Sequence, residues 1–390
     1  MDVVKITAQM KAYPWGGFEY IQDLVQQPKK EGEAIGELWM GVHPNGPSRV
    51  PSSDNLLLSE FLAKNKSFLG KHDGFPFLLK VLAIEKPLSI QCHPNRIQAK
   101  KGYKEEAEKR KGVSQALWNY ADANPKAEIL YALNACTAMC GFRTVKEIEA
   151  DLKRLLPNSF ETLLGNCITQ GNPIKSYFEQ LYRLDKPALT ILIQEYAENV
   201  LLLPEETRAP FLTAKEIALQ AVAEFPSDPG VFAPYLLNIV ELQPGEAIYL
   251  EPQIVHAYVR GNGIELMNNS DNILRAGLTD KHMDVEELIR IMVAKPQPVE
   301  KIDSYSDESG LHFVTENPDF DLSVFTEGSF TVDGGSLSLL LCIEGSAKVI
   351  KGEQEVQFNR GECLLVGTSM KDYQVQAEGT VFCAYAPEII

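Results

Sequence analysis

Six histidines in 390 residues make the placement of each imidazole informative. In Leu88-Ser89-Ile90-Gln91-Cys92-His93-Pro94 the alternation of a strand points Ser89, Gln91 and His93 to one face and leaves the other apolar. The same period in Val255-His256-Ala257-Tyr258-Val259 puts His256 beside Tyr258. In Asn124-Pro125-Lys126-Ala127-Glu128-Ile129, Lys126 and Glu128 share a side if the chain is extended. Were these strands to close into a barrel, Gln91, His93, Glu128 and His256 would supply two imidazole nitrogens and two oxygens, a set suited to zinc or another divalent first-row metal. One ionised Glu against a doubly charged ion leaves a positive centre that keeps Lewis acidity toward a substrate oxygen. A lone inward His is usually a satisfied core residue, so the reading rests on the combination. Only one such set can be assembled from six histidines, which sets the expectation of one metal per chain.

A second concentration of polar groups follows at 263–281. Asn268-Asn269-Ser270-Asp271-Asn272 carries turn-forming side chains and reads as a loop. Arg275 is different, because Leu274 and Ala276-Gly277-Leu278 surround it with small or apolar residues that a solvated loop does not call for.

These residues need strands to hold them. Up to residue 142 short apolar runs are broken by Gly and Pro, with 77–84 and 88–93 the clearest strands and 101–111 a charge-dense helix. Over 144–225 the period changes: Val145, Ile148, Leu152 and Leu155, then Ile174, Tyr177, Phe178 and Leu181, recur at helical spacing. Thr213 opens another helix, and Pro226-Ser227-Asp228-Pro229-Gly230 ends the block. Strands return at 236–242, 247–250 and 256–259, so the helices interrupt one sheet-rich unit. A polar stretch with two prolines at 296–307 leads to a last region of strands and turns. There Gly361-Glu362-Cys363-Leu364-Leu365-Val366 echoes Gly245-Glu246-Ala247-Ile248-Tyr249-Leu250, which favours two jelly-roll barrels. The expected fold is mainly β: two cupin or jelly-roll-like barrels plus a helical domain. The first barrel takes 1–143 and 226–295, the helical insertion 144–225, and the linker and second barrel 296–390. In the second barrel the counterpart of His256 is Asp372, so no metal is expected there.

Composition excludes several classes. With 45% hydrophobic and 23% charged residues the chain can bury a large core. No apolar run approaches the roughly 18 residues of a spanning helix, and the first residues lack the pattern of a secretory signal, so a cytoplasmic protein is expected. Seven scattered cysteines among apolar neighbours read as reduced core thiols. A net charge of -16 disfavours nucleic acid and anionic membrane as partners. An anionic substrate would therefore need its cationic contacts concentrated in the site.

Six ordered motifs make the resemblance specific: Tyr13-x-Trp15-Gly16, Glu37-Leu38-Trp39-Met40-Gly41-x-His43-Pro44, Leu88-Ser89-Ile90-Gln91-x-His93-Pro94, Asn124-x-Lys126-x-Glu128, His256-Ala257-Tyr258 and Ser270-Asp271-Asn272-x-x-Arg275-x-Gly277-Leu278-Thr279-x-Lys281. In this order the chain resembles the type I phosphomannose isomerases. The resemblance implies one zinc on Gln91, His93, Glu128 and His256, and interconversion of mannose 6-phosphate with fructose 6-phosphate. It implies an active-site Arg275. With Pro125 where the family has a histidine, Glu265 and Lys126 are the candidate catalytic bases, and Glu265 is preferred because a carboxylate is ionised at neutral pH whereas Lys126 must first lose its proton. The resemblance places Tyr258, Lys281, Ser89, Lys80, Glu37, Trp15 and Asp271 around a small sugar phosphate. A monomer or weak dimer is expected.

The sequence departs from the family where Pro125 replaces a histidine, so a mechanism using an imidazole there requires His43 or solvent instead. Two other readings compete. A cupin oxygenase would want an iron site with more histidines, and a metal-free sugar-binding bicupin fits the second barrel better than the first. A nucleotidyltransferase fusion is excluded by the lack of a glycine-rich phosphate loop.

Overall fold

A computed structural model describes residues 1–169 and 171–387. The fold is mainly β, with a ten-stranded and a nine-stranded sheet. In the strand Phe77–Ile84 every residue is buried, because its two faces belong to two cores. Phe77, Leu79, Val81 and Ala83 pack outward against Ile21, Leu38 and the last barrel, while Leu82 and Ile84 pack inward with Leu130 and Tyr258. Lys80 falls in the inward set.

The strand His256–Asn268 organises the first barrel. Its first half pairs with Cys136–Phe142, and its second half lies between Phe77–Ile84 and Glu128–Ala132. The register slips between Tyr258 and Arg260, where two steps on this strand face the single step from Ala138 to Thr137. Such a bulge bends the strand and reverses which parity points inward. His256 and Tyr258 precede it, and Glu265 and Met267 follow it.

Helices cover the outer face of the strands that carry the site. Val145–Leu155 and Ala214–Glu224 start with capping boxes from Thr144 with Glu147 and from Thr213 with Glu216, and Pro173–Arg183 and Lys186–Leu201 start on Asn172 and Asp185. Their apolar stripes form one core with Ile90, Cys92, Met139, Ala257, Val259, Leu274 and Ala276. The helical region runs past its expected end at 225, because Asp228 caps a further turn and Pro229 is preset for its first position. Val285–Ile291, capped by Asp284, adds its buried Leu288, Ile289 and Ile291 to this core, a helix not anticipated from the sequence.

The nine-stranded sheet contains the C-terminal strands and also Val3–Ile6, which pairs antiparallel with Cys363–Val366. Residues 3–6 therefore add a strand to the sheet of the C-terminal region. Lys5 binds Glu362 at 2.8 Å. The seven cysteines are free and buried, and no helix among the described residues is long and apolar enough to cross a membrane.

The repeated glycine-acid strands are alike in detail. Gly245 and Gly361 hold φ of 93° and 81°, and Glu246 and Glu362 accept from the main-chain N–H groups of Gln243 and Asn359 at 2.8 and 2.7 Å. Their surroundings differ. A Cβ on Gly361 would stand 2.4 Å from the Leu24 carbonyl oxygen, whereas one on Gly245 meets nothing nearer than 3.8 Å. Gly245→Ala is expected to cost only the left-handed backbone penalty, roughly 1–2 kcal/mol, and Gly361→Ala distinctly more, by denaturant midpoint. Equal costs would contradict this account.

Candidate active site

The inward faces of the first barrel enclose a cavity of about 480 Å³, lined in part by Gln91, Lys126, Glu128, His256 and Tyr258. His93, Glu128 and His256 are all buried, with ligand atoms within 4.8 Å of one another. Glu128 Oε1 lies 3.2 Å from His93 Nε2, and its Oε2 lies 3.3 Å from His256 Nε2. Each imidazole is set by a main-chain carbonyl, His93 Nδ1 on Asn272 at 2.8 Å and His256 Nδ1 on Ile254 at 2.9 Å. A carbonyl can only accept, so Nδ1 carries the proton and the Nε2 lone pair faces Glu128, as a metal-ligating histidine requires. Gln91 stands opposite His256 on one neighbouring strand and opposite Arg275 on the other. This donor set, two imidazoles and one carboxylate with the Gln91 amide on the neighbouring strand, is of the kind that would hold a divalent first-row ion.

Two cations are already neutralised. Lys126 Nζ lies 2.8 Å from Glu128 Oε1 and 3.3 Å from His93 Nε2, and Tyr258 donates to Glu128 Oε2 at 2.8 Å. Lys80 Nζ lies 2.6 Å from Glu265 Oε2 and 3.9 Å from Glu37, which in turn accepts from the Trp39 indole at 2.6 Å. Arg275 and Lys281 also line the cavity, and among the described residues neither side chain makes a salt bridge. The concentrated positive charge expected for an anionic substrate is thus present and available at this edge.

The rim is aromatic and polar. Tyr13 and Trp15 stack at 5.1 Å, and Trp15 lies against Gly36, where a Cβ would stand 2.6 Å from the indole. His43 packs edge-on against Trp39, and its Nε2 is 4.0 Å from Asp271. Asn45 donates to Asp271 at 2.8 Å, and Gln91 donates to Ser89 at 3.3 Å.

Burial and charge set the protonation states. Burial would raise Glu128, but Lys126 and the imidazoles outweigh it and hold the carboxyl well below the usual range. Burial and Lys126 push His93 down to about 3, and burial pushes His43 down to about 4 against the pull of Asp271. Both rings are neutral at pH 7, so His93 Nε2 carries an unprotonated lone pair, which here accepts from Lys126 at 3.3 Å. Glu265 is raised, chiefly by burial and against Lys80. Burial would lower Lys80, yet Glu265 and Glu37 keep it protonated. Arg275 is lowered by burial, and Lys281 by burial and then by Arg275.

Each residue proposed from the sequence lines this cavity or, like His93, touches those that do. Lys11, Trp39 and Asn45 line it as well and were missed. Two were legible: Lys11 shares the strand parity of Tyr13 and Trp15, and Trp39 that of Glu37. Asn45 follows the strand in a turn, where no period applies.

Comparison with known proteins gives a consistent picture. A family profile described as phosphomannose isomerase type I, catalytic domain, matches residues 3–145, and one described as mannose-6-phosphate isomerase, cupin domain, matches residues 310–386. The mannose-6-phosphate isomerase of Shigella flexneri is 31% identical over 98% of this chain and 99% of its own. That of Homo sapiens is 32% identical over 87% of this chain and 85% of its own. A solved mutant of phosphomannose isomerase from Salmonella typhimurium superposes with a TM-score of 0.85 at 27% identity over 100% of both chains. A zinc-bound mannose 6-phosphate isomerase does so with a TM-score of 0.84 at 27% identity, again over 100% of both.

Proposed function

The chain belongs to the type I phosphomannose isomerase family and is an aldose-ketose isomerase, and we propose that it interconverts D-mannose 6-phosphate and D-fructose 6-phosphate through an enediolate. The observation that carries this reading is one cavity lined by Glu128 and His256 of the metal cluster and by the buried Lys80–Glu265 pair. Zinc is its metal. Gln91, His93, Glu128 and His256 are the ligands we assign, and the bound ion supplies a Lewis acid for a sugar oxygen.

The protein's own groups carry the rest. Glu265 is the base: it takes the proton from carbon 2 of the aldose and returns it to carbon 1, while the hydroxyl proton passes from oxygen 2 to oxygen 1. Its raised affinity for a proton suits a carboxylate that must accept one and give it back. Lys126, oriented by Glu128, donates to a hydroxyl or ring oxygen. Arg275 stabilises the charge that develops on the enediolate. Lys281 stands beside it for the phosphate, and Trp15, Tyr258, Ser89, Glu37 and Asp271 shape the sugar pocket. The second barrel carries no proposed chemistry. Leu340, Val349, Phe358 and Tyr373 fill its interior, and Asp372 lies exposed.

A coupled assay tests the reading. Mannose 6-phosphate is expected to turn over without oxygen uptake, activity should vanish on chelation, and about one equivalent of zinc per chain should restore it. Full activity in chelated protein, or two equivalents of zinc, would overturn the assignment.

A further inference from the structure

Lys126, Glu128 and Asp271 reach the cavity from segments distant in sequence, and the side chain of Asp122 joins those segments. Asp122 lies in the irregular stretch before the Glu128–Ala132 strand and has no role in the reaction described above. Its Oδ2 accepts from the Asp271 N–H at 2.8 Å and from the Ser270 hydroxyl at 3.1 Å. Its Oδ1 accepts from the same hydroxyl at 2.9 Å, from the Asn124 N–H at 2.8 Å and from Asn272 Nδ2 at 3.2 Å.

The Asp122 main chain clamps Asn272 as well, donating to its Oδ1 at 3.1 Å and accepting from its Nδ2 at 2.9 Å. Asn272 is fully buried, at 0% exposure, and it is the residue whose carbonyl holds His93 Nδ1 at 2.8 Å. A continuous path of hydrogen bonds therefore runs from Asp122 through Asn272 to one imidazole of the metal cluster. A branch through the Asp271 N–H sets the carboxylate that faces His43 and Asn45.

We propose that Asp122 is a positioning residue for the metal. It fixes the 270–272 loop so that the Asn272 carbonyl keeps His93 Nε2 aimed at Glu128, and it keeps Asp271 at the cavity wall. The inference rests on the zinc reading above. Groups that hold the far nitrogen of a ligating histidine set its tautomer, its orientation and its basicity, and their loss typically weakens metal binding by about 10–100-fold. Here the Asp122 carboxylate ties down Ser270 and Asp271 in the loop supplying that group, while the main chain of 122–124 holds Asn272. Replacing Asp122 with Asn leaves a similar shape but exchanges an acceptor for an NH₂ that cannot accept from Asp271 or Ser270.

Zinc affinity measured by competition with a chromophoric chelator tests this without recourse to activity. Asp122→Asn is expected to bind zinc about 10–100-fold more weakly than wild type while keeping its far-ultraviolet circular dichroism. Should that variant fail to fold, Ser270→Ala, which removes the hydroxyl shared by both Asp122 oxygens, should weaken zinc binding in the same direction. Leu340→Ala, which hollows the second barrel, should lower the thermal midpoint and leave zinc affinity unchanged. Wild-type affinity in Asp122→Asn, or an equal loss in Leu340→Ala, would overturn the inference while leaving the metal site intact. A wild-type protein that takes up no zinc would overturn the metal assignment and this inference together.

Discussion

Glu265→Gln is expected to abolish exchange of the carbon-2 proton with solvent while the protein keeps its zinc. The carboxylate is 4% exposed and lines the same cavity as Glu128 and His256, next to Lys80 at 2.6 Å. Gln preserves its shape but cannot take a proton, so the loss should fall on the chemical step, by roughly 10²–10⁴-fold in kcat. Some stability is lost as well, because Lys80 remains buried with Glu37 at 3.9 Å as its remaining carboxylate. Proton exchange followed by NMR in deuterated water separates the two effects, since a variant that is only less stable still exchanges when folded. Lys126→Met is the paired measurement. If Glu265→Gln exchanges at close to the wild-type rate and Lys126→Met does not, the base is Lys126 and the roles assigned here are reversed.

His256→Ala should remove metal and activity together. His256 is 3% exposed, its Nε2 lies 3.3 Å from Glu128, and its backbone pairs with Gln91. Its loss takes one nitrogen from the donor set and leaves Glu128 with fewer partners for its charge in a buried position. Metal binding is linked to folding, and zinc at a thousandfold excess over its dissociation constant contributes about 4 kcal/mol. Wild type should therefore unfold at a lower temperature after chelation, whereas His256→Ala should start low and not respond to the chelator. Elemental analysis finding a full equivalent of zinc in an active His256→Ala protein would refute the ligand assignment.

Much of this was written locally in the chain. Strand alternation alone placed Gln91 with His93, His256 with Tyr258, and Lys126 with Glu128. Helical periodicity found the covering helices, whose caps are ordinary Thr-x-x-Glu signals at Thr144 and Thr213. The glycine-acid repeat gave the second barrel, because a turn with positive φ demands the same residues each time it is built. What it did not reach were features set by partners distant in sequence. The strand at Val3–Ile6 has no local sign that its edge belongs to Cys363–Val366. The turn at Asp228 and Pro229 reads as an end of helix until its packing against Gly277 is known.

The site itself divides in the same way. Residue types and a period of two determined which side chains could meet, but Tyr258 and Glu265 are seven positions apart and an unbroken strand would point them to opposite faces. They share the cavity because the bulge between Tyr258 and Arg260 inserts one residue and reverses the parity. A bulge is fixed by the register against Cys136–Phe142, a pairing made across more than a hundred residues, and so only the tertiary structure decides it. The chain thus carries its donors and its strand-forming periods in its own order, while the orientation of Glu265 toward Lys80 and of His93 toward Glu128 is settled by contacts that exist only once the barrel has closed.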